Sequence, residues 1–254
     1  MFPILVKLGP LTIHTYGFFL ALGALAGLYV LGRLAASAGL DRERVGNLAM
    51  WGLLTGILGS RLFYVFLEPA EFVHEPWRIF YLWEGGLVFY GGIIGGLGMV
   101  LFLAWRWKIP LMTLLDCFAP GVALGQFFGR LGCFSAGCCF GEPCDLPWAV
   151  TFTDPHTLAP PGVPLHPTQL YTAFTLLAIF LVLLYLWPRR GRAGRIFFTY
   201  GLLHGTARII LEQFRADFRG AEILGPLTPT ALVALGLAVL SAVGLIYLSR
   251  SPKS

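Results

Sequence analysis

Arg208, Glu212 and Arg215 stand at i, i+4 and i+7, a spacing that puts two guanidiniums and a carboxylate on one helix face. The stretch around them is mostly apolar. A charge inside a membrane-crossing segment costs at least about 2.5–3.5 kcal/mol, so such groups face a protein interior and have partners. One reading is an Arg208–Glu212 staple with Arg215 reaching to the membrane interface. Arg61 lies near the end of one other apolar run and Arg130 ends another, and that favours a second reading. Several guanidiniums at one depth suit an anionic ligand, because the planar fork pairs bidentately with phosphate. A phospholipid headgroup is the obvious candidate.

Four of the five cysteines, Cys133, Cys138, Cys139 and Cys144, fall within 12 residues. Their spacing is C-x4-C-C-x4-C, not the paired C-x2-C of a zinc ribbon. Disulfides or packed thiols are the main reading, with a reactive nucleophile or a metal site as alternatives, and no metal or other cofactor is expected. Cys117 reads as a small apolar core residue. His14 and His166 lie at the depth of the arginines and suit acid–base work. His204 reads as a packing residue, and His74 and His156 as loop residues. Neither a metal-binding His pair at i, i+4 nor a Gly-x-Ser-x-Gly elbow occurs.

These groups need elements to hold them, and composition says which kind. Of 254 residues, 57% are hydrophobic and 12% charged, about half the charge of an average soluble chain. That excludes a soluble enzyme. The net charge of +5 reflects distribution across a membrane rather than a nucleic-acid patch. Seven stretches are long and apolar enough to span about 30 Å of hydrocarbon: 12–33, 45–67, 86–105, 111–130, 168–187, 195–215 and 229–249. With the N-terminus outside, 11 of the 18 Lys and Arg residues fall inside, whereas ten of the 13 acidic residues fall outside. The positive-inside rule therefore gives N-out, C-in.

The expected fold is an all-α polytopic membrane protein of seven transmembrane helices, with the C-terminus cytoplasmic. Residues 1–254 form a single domain with outside segments 68–85 and 131–167. Segments 68–85 and 141–167 are expected to fold over the site. Glycines four apart, such as Gly23/Gly27, Gly52/Gly56, Gly92/Gly96 and Gly121/Gly125/Gly129, read as helix-packing positions. With that orientation, Arg61, Arg130, Arg208, Glu212, Arg215, His14, Tyr16, Tyr90, His166, Gln169 and Tyr171 all fall in the outer half of the membrane. Asp116 is the one carboxylate expected in the inner half of a span.

Six motifs in order resemble the prolipoprotein diacylglyceryl transferase family over nearly the whole chain. They are Leu11-Thr-Ile-His-Thr-Tyr-Gly17, Gly59-Ser-Arg61-Leu-Phe-Tyr64, Trp83-Glu-Gly-Gly-Leu-Val-Phe-Tyr90-Gly-Gly, Gly129-Arg130-Leu-Gly132 through Gly141, His166-Pro-Thr-Gln169-Leu-Tyr171, and Arg208-Ile-Ile-Leu-Glu212-Gln-Phe-Arg215. Two positions depart from the family pattern: Tyr90 replaces the usual histidine and Cys133 the usual asparagine. A mechanism with that histidine as base therefore does not carry over unchanged.

The resemblance implies transfer of the diacylglyceryl group of phosphatidylglycerol to the lipobox cysteine of a prolipoprotein signal peptide. A thioether forms and glycerol phosphate leaves. It places Arg130, Arg208, Glu212, Tyr90 and Tyr16 in the catalytic set, and Arg61, Arg215, Gly132, Cys133, Gly141, His166 and Gln169 in substrate binding. The partners are then phosphatidylglycerol, the prolipoprotein and membrane lipids. Such an enzyme belongs in the bacterial cytoplasmic membrane with its site toward the outer leaflet. The alternatives are a non-catalytic phospholipid-binding paralogue and a small-solute transporter.

Overall fold

The computed structural model describes residues 2–8, 11–73, 75–81, 85–216 and 228–250. His74, Trp83 and Glu84, named above, lie outside the described residues. Long apolar runs become helices because a helix satisfies its own backbone groups where water cannot. Seven helices follow: α1 (Thr15–Ser37), α2 (Arg42–Leu67), α3 (Phe89–Arg106), α4 (Leu111–Ala136), α5 (Thr168–Leu186), α6 (Arg195–Glu212) and α7 (Pro229–Arg250). Six are long and apolar enough to cross a membrane, and α6 is the exception. It carries Arg195, Arg208 and Glu212 in 18 residues.

Two expectations are corrected. Residues 12–14 belong to a strand, not to the first span. β1 (Ile4–Leu8) and β2 (Leu11–His14) pair antiparallel, and β-branched Thr12 and Ile13 suit that conformation. A second small sheet pairs β3 (Val150–Thr151) with β4 (Pro164–Leu165), so the fold is helical but not purely so. The fourth helix also runs past Arg130 to Ala136 and takes in Gly132 and Cys133, which the sequence placed in an outside segment. Gly137, at φ 72°, ends it instead.

That ending is a Schellman motif. The Gly137 N–H donates to Phe134 O at 3.3 Å and the Cys138 N–H to Cys133 O at 3.1 Å. The motif folds the residue after the glycine back over the last helical turn. Here the pair it brings together is Cys133 and Cys138.

Contacts divide the chain into two compact units, 1–30 with 115–254, and 31–114. In the first, glycines close the helix contacts. A Cβ at Gly27 would stand 2.9 Å from Gly121 O, and one at Gly23 2.8 Å from Gly125 O. A Cβ at Gly205 would stand 2.7 Å from Ala234 O on α7. Asp116, buried in α4, accepts from Gly194 N at 2.7 Å and Phe197 N at 2.8 Å, and so caps α6 from another helix. A carboxylate there satisfies orphan amides and meets the positive end of the helix dipole. In the second unit, α2 and α3 pack through Gly52, Gly56 and Gly59 against Gly91, Gly92, Gly95 and Gly96. Val45, Leu48 and Leu31 are buried in the same unit.

Candidate active site

Segment 137–167 forms a small cap in the first unit. Phe152, Ala159 and Leu165 are buried together, with Phe134, Phe140, Val150 and Val163 packed against them. The cap is stitched to the end of α6. Gly141 pairs with Arg215, the Glu142 N–H donates to Phe214 O at 3.1 Å, and the Gly141 N–H donates to His166 O at 3.0 Å. A Cβ at Gly141 would stand 2.5 Å from Phe214 O and 2.6 Å from the His166 Cβ, so only glycine admits this close approach. Gly132 is likewise a contact point, where a Cβ would stand 3.1 Å from the Tyr16 ring.

Arg208 pairs with Glu212 at 2.9 Å, both largely buried. Glu212 also accepts from the Thr228 hydroxyl at 2.8 Å and the Thr230 hydroxyl at 3.1 Å, which ties the end of α6 to the start of α7. Its oxygens are thereby committed, and that suits a positioning role better than proton abstraction. Arg215 points to a different partner, the Cys139 sulfur. Tyr16 lies within electrostatic range of Arg130 and of Cys133, Cys138 and Cys139. The first unit thus brings Tyr16, Arg130, Cys133, Arg215 and the cap together.

All five cysteines are thiols. The sulfurs of Cys133, Cys138 and Cys139 lie within 4.8 Å of one another, whereas Cys144 stands outside the group. No disulfide joins them here, and three of the four lie close enough to act as one group. Hydrogen bonds from the Cys133 and Cys138 thiols, with help from Arg215, hold the Cys139 thiol well below its ordinary range. The same network and burial push Cys138 up. Cys139 adopts a left-handed backbone, φ 59°, rare for a residue with a Cβ.

The start of α5 grips this loop. The buried Thr168 hydroxyl donates to Cys139 O at 2.8 Å, and the buried Gln169 Nε2 donates to Cys138 O at 2.8 Å. His166 Nδ1 is 3.2 Å from the Tyr171 hydroxyl, which also accepts from Trp148 Nε1 at 2.7 Å. His166, Tyr171 and Phe214 form one aromatic cluster. Thr168 and Trp148 were not among the expected site residues, whereas Tyr171 was expected at this depth. Thr168 adjoins Gln169 within one motif, and that adjacency was the available signal.

Arg61 and Tyr90 lie in the second unit. Arg61 is buried, and its guanidinium donates to Ile79 O at 2.9 Å, Gly85 O at 2.7 Å, Gly86 O at 3.3 Å and Arg78 O. It also lies over the rings of Tyr64 and Phe72. Its donors hold the backbone at Arg78, Ile79, Gly85 and Gly86. Tyr90, at the start of α3, is 69% exposed.

Residues 3–247 match the sequence model of the prolipoprotein diacylglyceryl transferase family. The chain belongs to this family. It is 39% identical over 224 residues to a phosphatidylglycerol–prolipoprotein diacylglyceryl transferase of Clostridium tetani, a match that covers 87% of this chain and 88% of that one. It is 34% identical over 255 residues to the protein of the same name from Gloeobacter violaceus, covering 98% and 93%. A Bordetella bronchiseptica relative, again of that name, is 35% identical over 219 residues, covering 84% and 82%. These family matches run through both units.

Proposed function

We propose that this chain is a phosphatidylglycerol–prolipoprotein diacylglyceryl transferase acting on a lipobox cysteine. The observation that carries the reading is the family match across residues 3–247, with Arg130, Arg208 and Arg215 set in one compact unit. The names of the relatives speak for transfer rather than for passive lipid binding or solute transport.

The reaction poses two electrostatic problems. The leaving glycerol phosphate is anionic, and the attacking thiol, with an ordinary pKa near about 8.5, is mostly protonated at neutral pH. Arginines answer both, since they neutralise the phosphate as charge develops and favour a nearby thiolate. Arg130 and Arg208 bind the headgroup phosphate, with Glu212 fixing the direction of Arg208 and Arg215 in support. Tyr16 donates its hydroxyl to the headgroup. Gly132, Cys133, Gly141, His166 and Gln169 shape the seat for the precursor. Arg61 acts through the backbone it holds, and Tyr90 keeps the place in the catalytic set that the family resemblance gives it.

The wider setting is also part of the proposal. All seven helices belong to one membrane domain, N-terminus outside and C-terminus cytoplasmic, in the bacterial cytoplasmic membrane. The site faces the outer leaflet, and lipid and signal peptide enter sideways from the bilayer.

The test uses full-length protein in detergent with phosphatidylglycerol and a lipobox precursor peptide. Mass spectrometry then looks for a diacylglyceryl adduct on the peptide cysteine. Wild type is expected to form it, and Tyr90→Phe to form it at least tenfold more slowly. An intact, lipid-binding wild type that makes no adduct would overturn the reading.

A further inference from the structure

The three-thiol cluster is the one group of soft, metal-ligating side chains among the described residues. Its geometry is built in. The Schellman turn at Gly137 folds Cys138 over Cys133, and the left-handed backbone of Cys139 brings the third sulfur into the same space. Zinc–thiolate bonds of about 2.3 Å place sulfurs about 3.8 Å apart on a tetrahedral ion. Sulfurs already within 4.8 Å of one another need only small side-chain rotations to reach that spacing.

The surroundings match a charged occupant. Three thiolates and a divalent ion leave one net negative charge, and the Arg215 guanidinium hydrogen-bonded to Cys139 balances it. Thr168 and Gln169 hold the carbonyls of Cys139 and Cys138, which fixes the backbone that carries two of the three sulfurs. Gln169 is fully buried, yet its Oε1 has no partner among the described residues. An orphaned buried acceptor on the residue that grips Cys138 marks an incomplete polar network.

We propose that Cys133, Cys138 and Cys139 bind an ion of the Zn2+ class through three thiolates, and that its fourth position takes the acceptor thiol. The second half rests on the transferase reading. Structural zinc sites use four protein ligands, whereas catalytic ones use three and keep a position open. No fourth cysteine, histidine or carboxylate joins the group among the described residues. A thiol coordinated to such an ion loses its proton outright. The proton passes to water. The sulfur lone pair then forms the C–S bond to the terminal glycerol carbon as that carbon's bond to the phosphate oxygen breaks. The bonding pair leaves with glycerol phosphate, and no electron is gained or lost overall.

The test uses full-length protein, reduced and metal-free in detergent, with Co2+ as the probe and no lipid present. Wild type and Cys144→Ser should each take up about one Co2+ with intense thiolate charge-transfer absorption, displaced by Zn2+. Cys138→Ser and Cys139→Ser should lose that absorption. A lipobox peptide, but not its Cys→Ser version, should then shift the visible bands. No uptake by wild type, uptake unchanged in both cysteine variants, or a disulfide among these cysteines in protein purified without reductant would overturn the site. Uptake with no response to the peptide would overturn the fourth-position assignment. Cobalt binding without any diacylglyceryl adduct would instead sink the transferase reading and leave the ion site standing.

Discussion

Arg61 and Arg208 interrupt apolar helices in the same way, yet the two units use them differently. The Arg61 guanidinium in the 31–114 unit is taken up by backbone carbonyls, four of them, so its charge fixes a segment of chain. Arg208 pairs with Glu212, and the next arginine along that face, Arg215, meets a sulfur. A guanidinium bonded to main-chain oxygens cannot turn to a ligand without dropping the loop it supports. One braced by a carboxylate keeps a fixed direction. The partner, more than the depth in the membrane, separates an architectural arginine from a chemical one.

Arg208→Ala gives the sharpest test of that difference. Losing one preorganised charge at a developing anion typically lowers kcat by about 10²–10³. Adduct formation should fall by that much even at temperatures where the variant stays folded, although the unfolding midpoint also drops because Glu212 loses its buried partner. Activity lost only in step with unfolding would place Arg208 with Arg61. Arg61→Ala should do the reverse. It strands several carbonyls, each worth about 1–3 kcal/mol when buried and unpaired, so a loss on the order of 3 kcal/mol is expected. The check is the unfolding midpoint, with proteolysis between residues 76 and 86 as the local readout. An Arg61→Ala protein of unchanged stability but lost activity would break the comparison.

Glycine contacts are expected not to distinguish the units. Gly27→Leu, against α4, and Gly59→Leu, against α3, should each destabilise by about 1–3 kcal/mol, because backbone atoms of the facing helix occupy the space. Gly98→Ala, with nothing near its Cβ, should be neutral or stabilising by about 0.5–1 kcal/mol. Thermal unfolding of the three variants checks this.

Those glycine stripes, like the six described helices long and apolar enough to cross a membrane, were legible because helix packing and hydropathy both leave patterns in the chain. What was not legible came from contacts between distant residues and from turns. Asp116 caps a helix whose first turn lies 78 residues away, and nothing local announces it. Residues 12–14 run straight into the first span with no Lys, Arg, Asp or Glu between, so hydropathy did not mark the strand. Hydropathy marked the apolar stretch 111–130 but not how far α4 runs beyond it, since Gly137 supplies the left-handed turn that ends the helix. The site followed the same division. The charges and the Gly132–Gly141 segment could be named, but not which arginine would meet carbonyls and which a sulfur.

The smallest effect concerns Arg215 and that sulfur. Hydrogen bonds from Cys133 and Cys138, then the Arg215 charge, hold the Cys139 thiol below the ordinary cysteine range, so its thiolate persists as pH falls. In reduced, metal-free protein, alkylation by iodoacetamide at pH 6.5 should therefore label Cys139 faster than Cys138, whose thiol is pushed up by the same network. Site-resolved peptide mass spectrometry reads the two rates. Arg215→Gln removes a cation and a donor, which raises the Cys139 value and moves its alkylation profile toward alkaline pH, slowing labelling at pH 6.5 a few-fold. Denaturation should erase the difference between the two cysteines, since both then sit near about 8.5. Equal labelling in the folded protein, or a profile indifferent to Arg215, would mean that this arginine, like Arg61, serves the chain path rather than the sulfur.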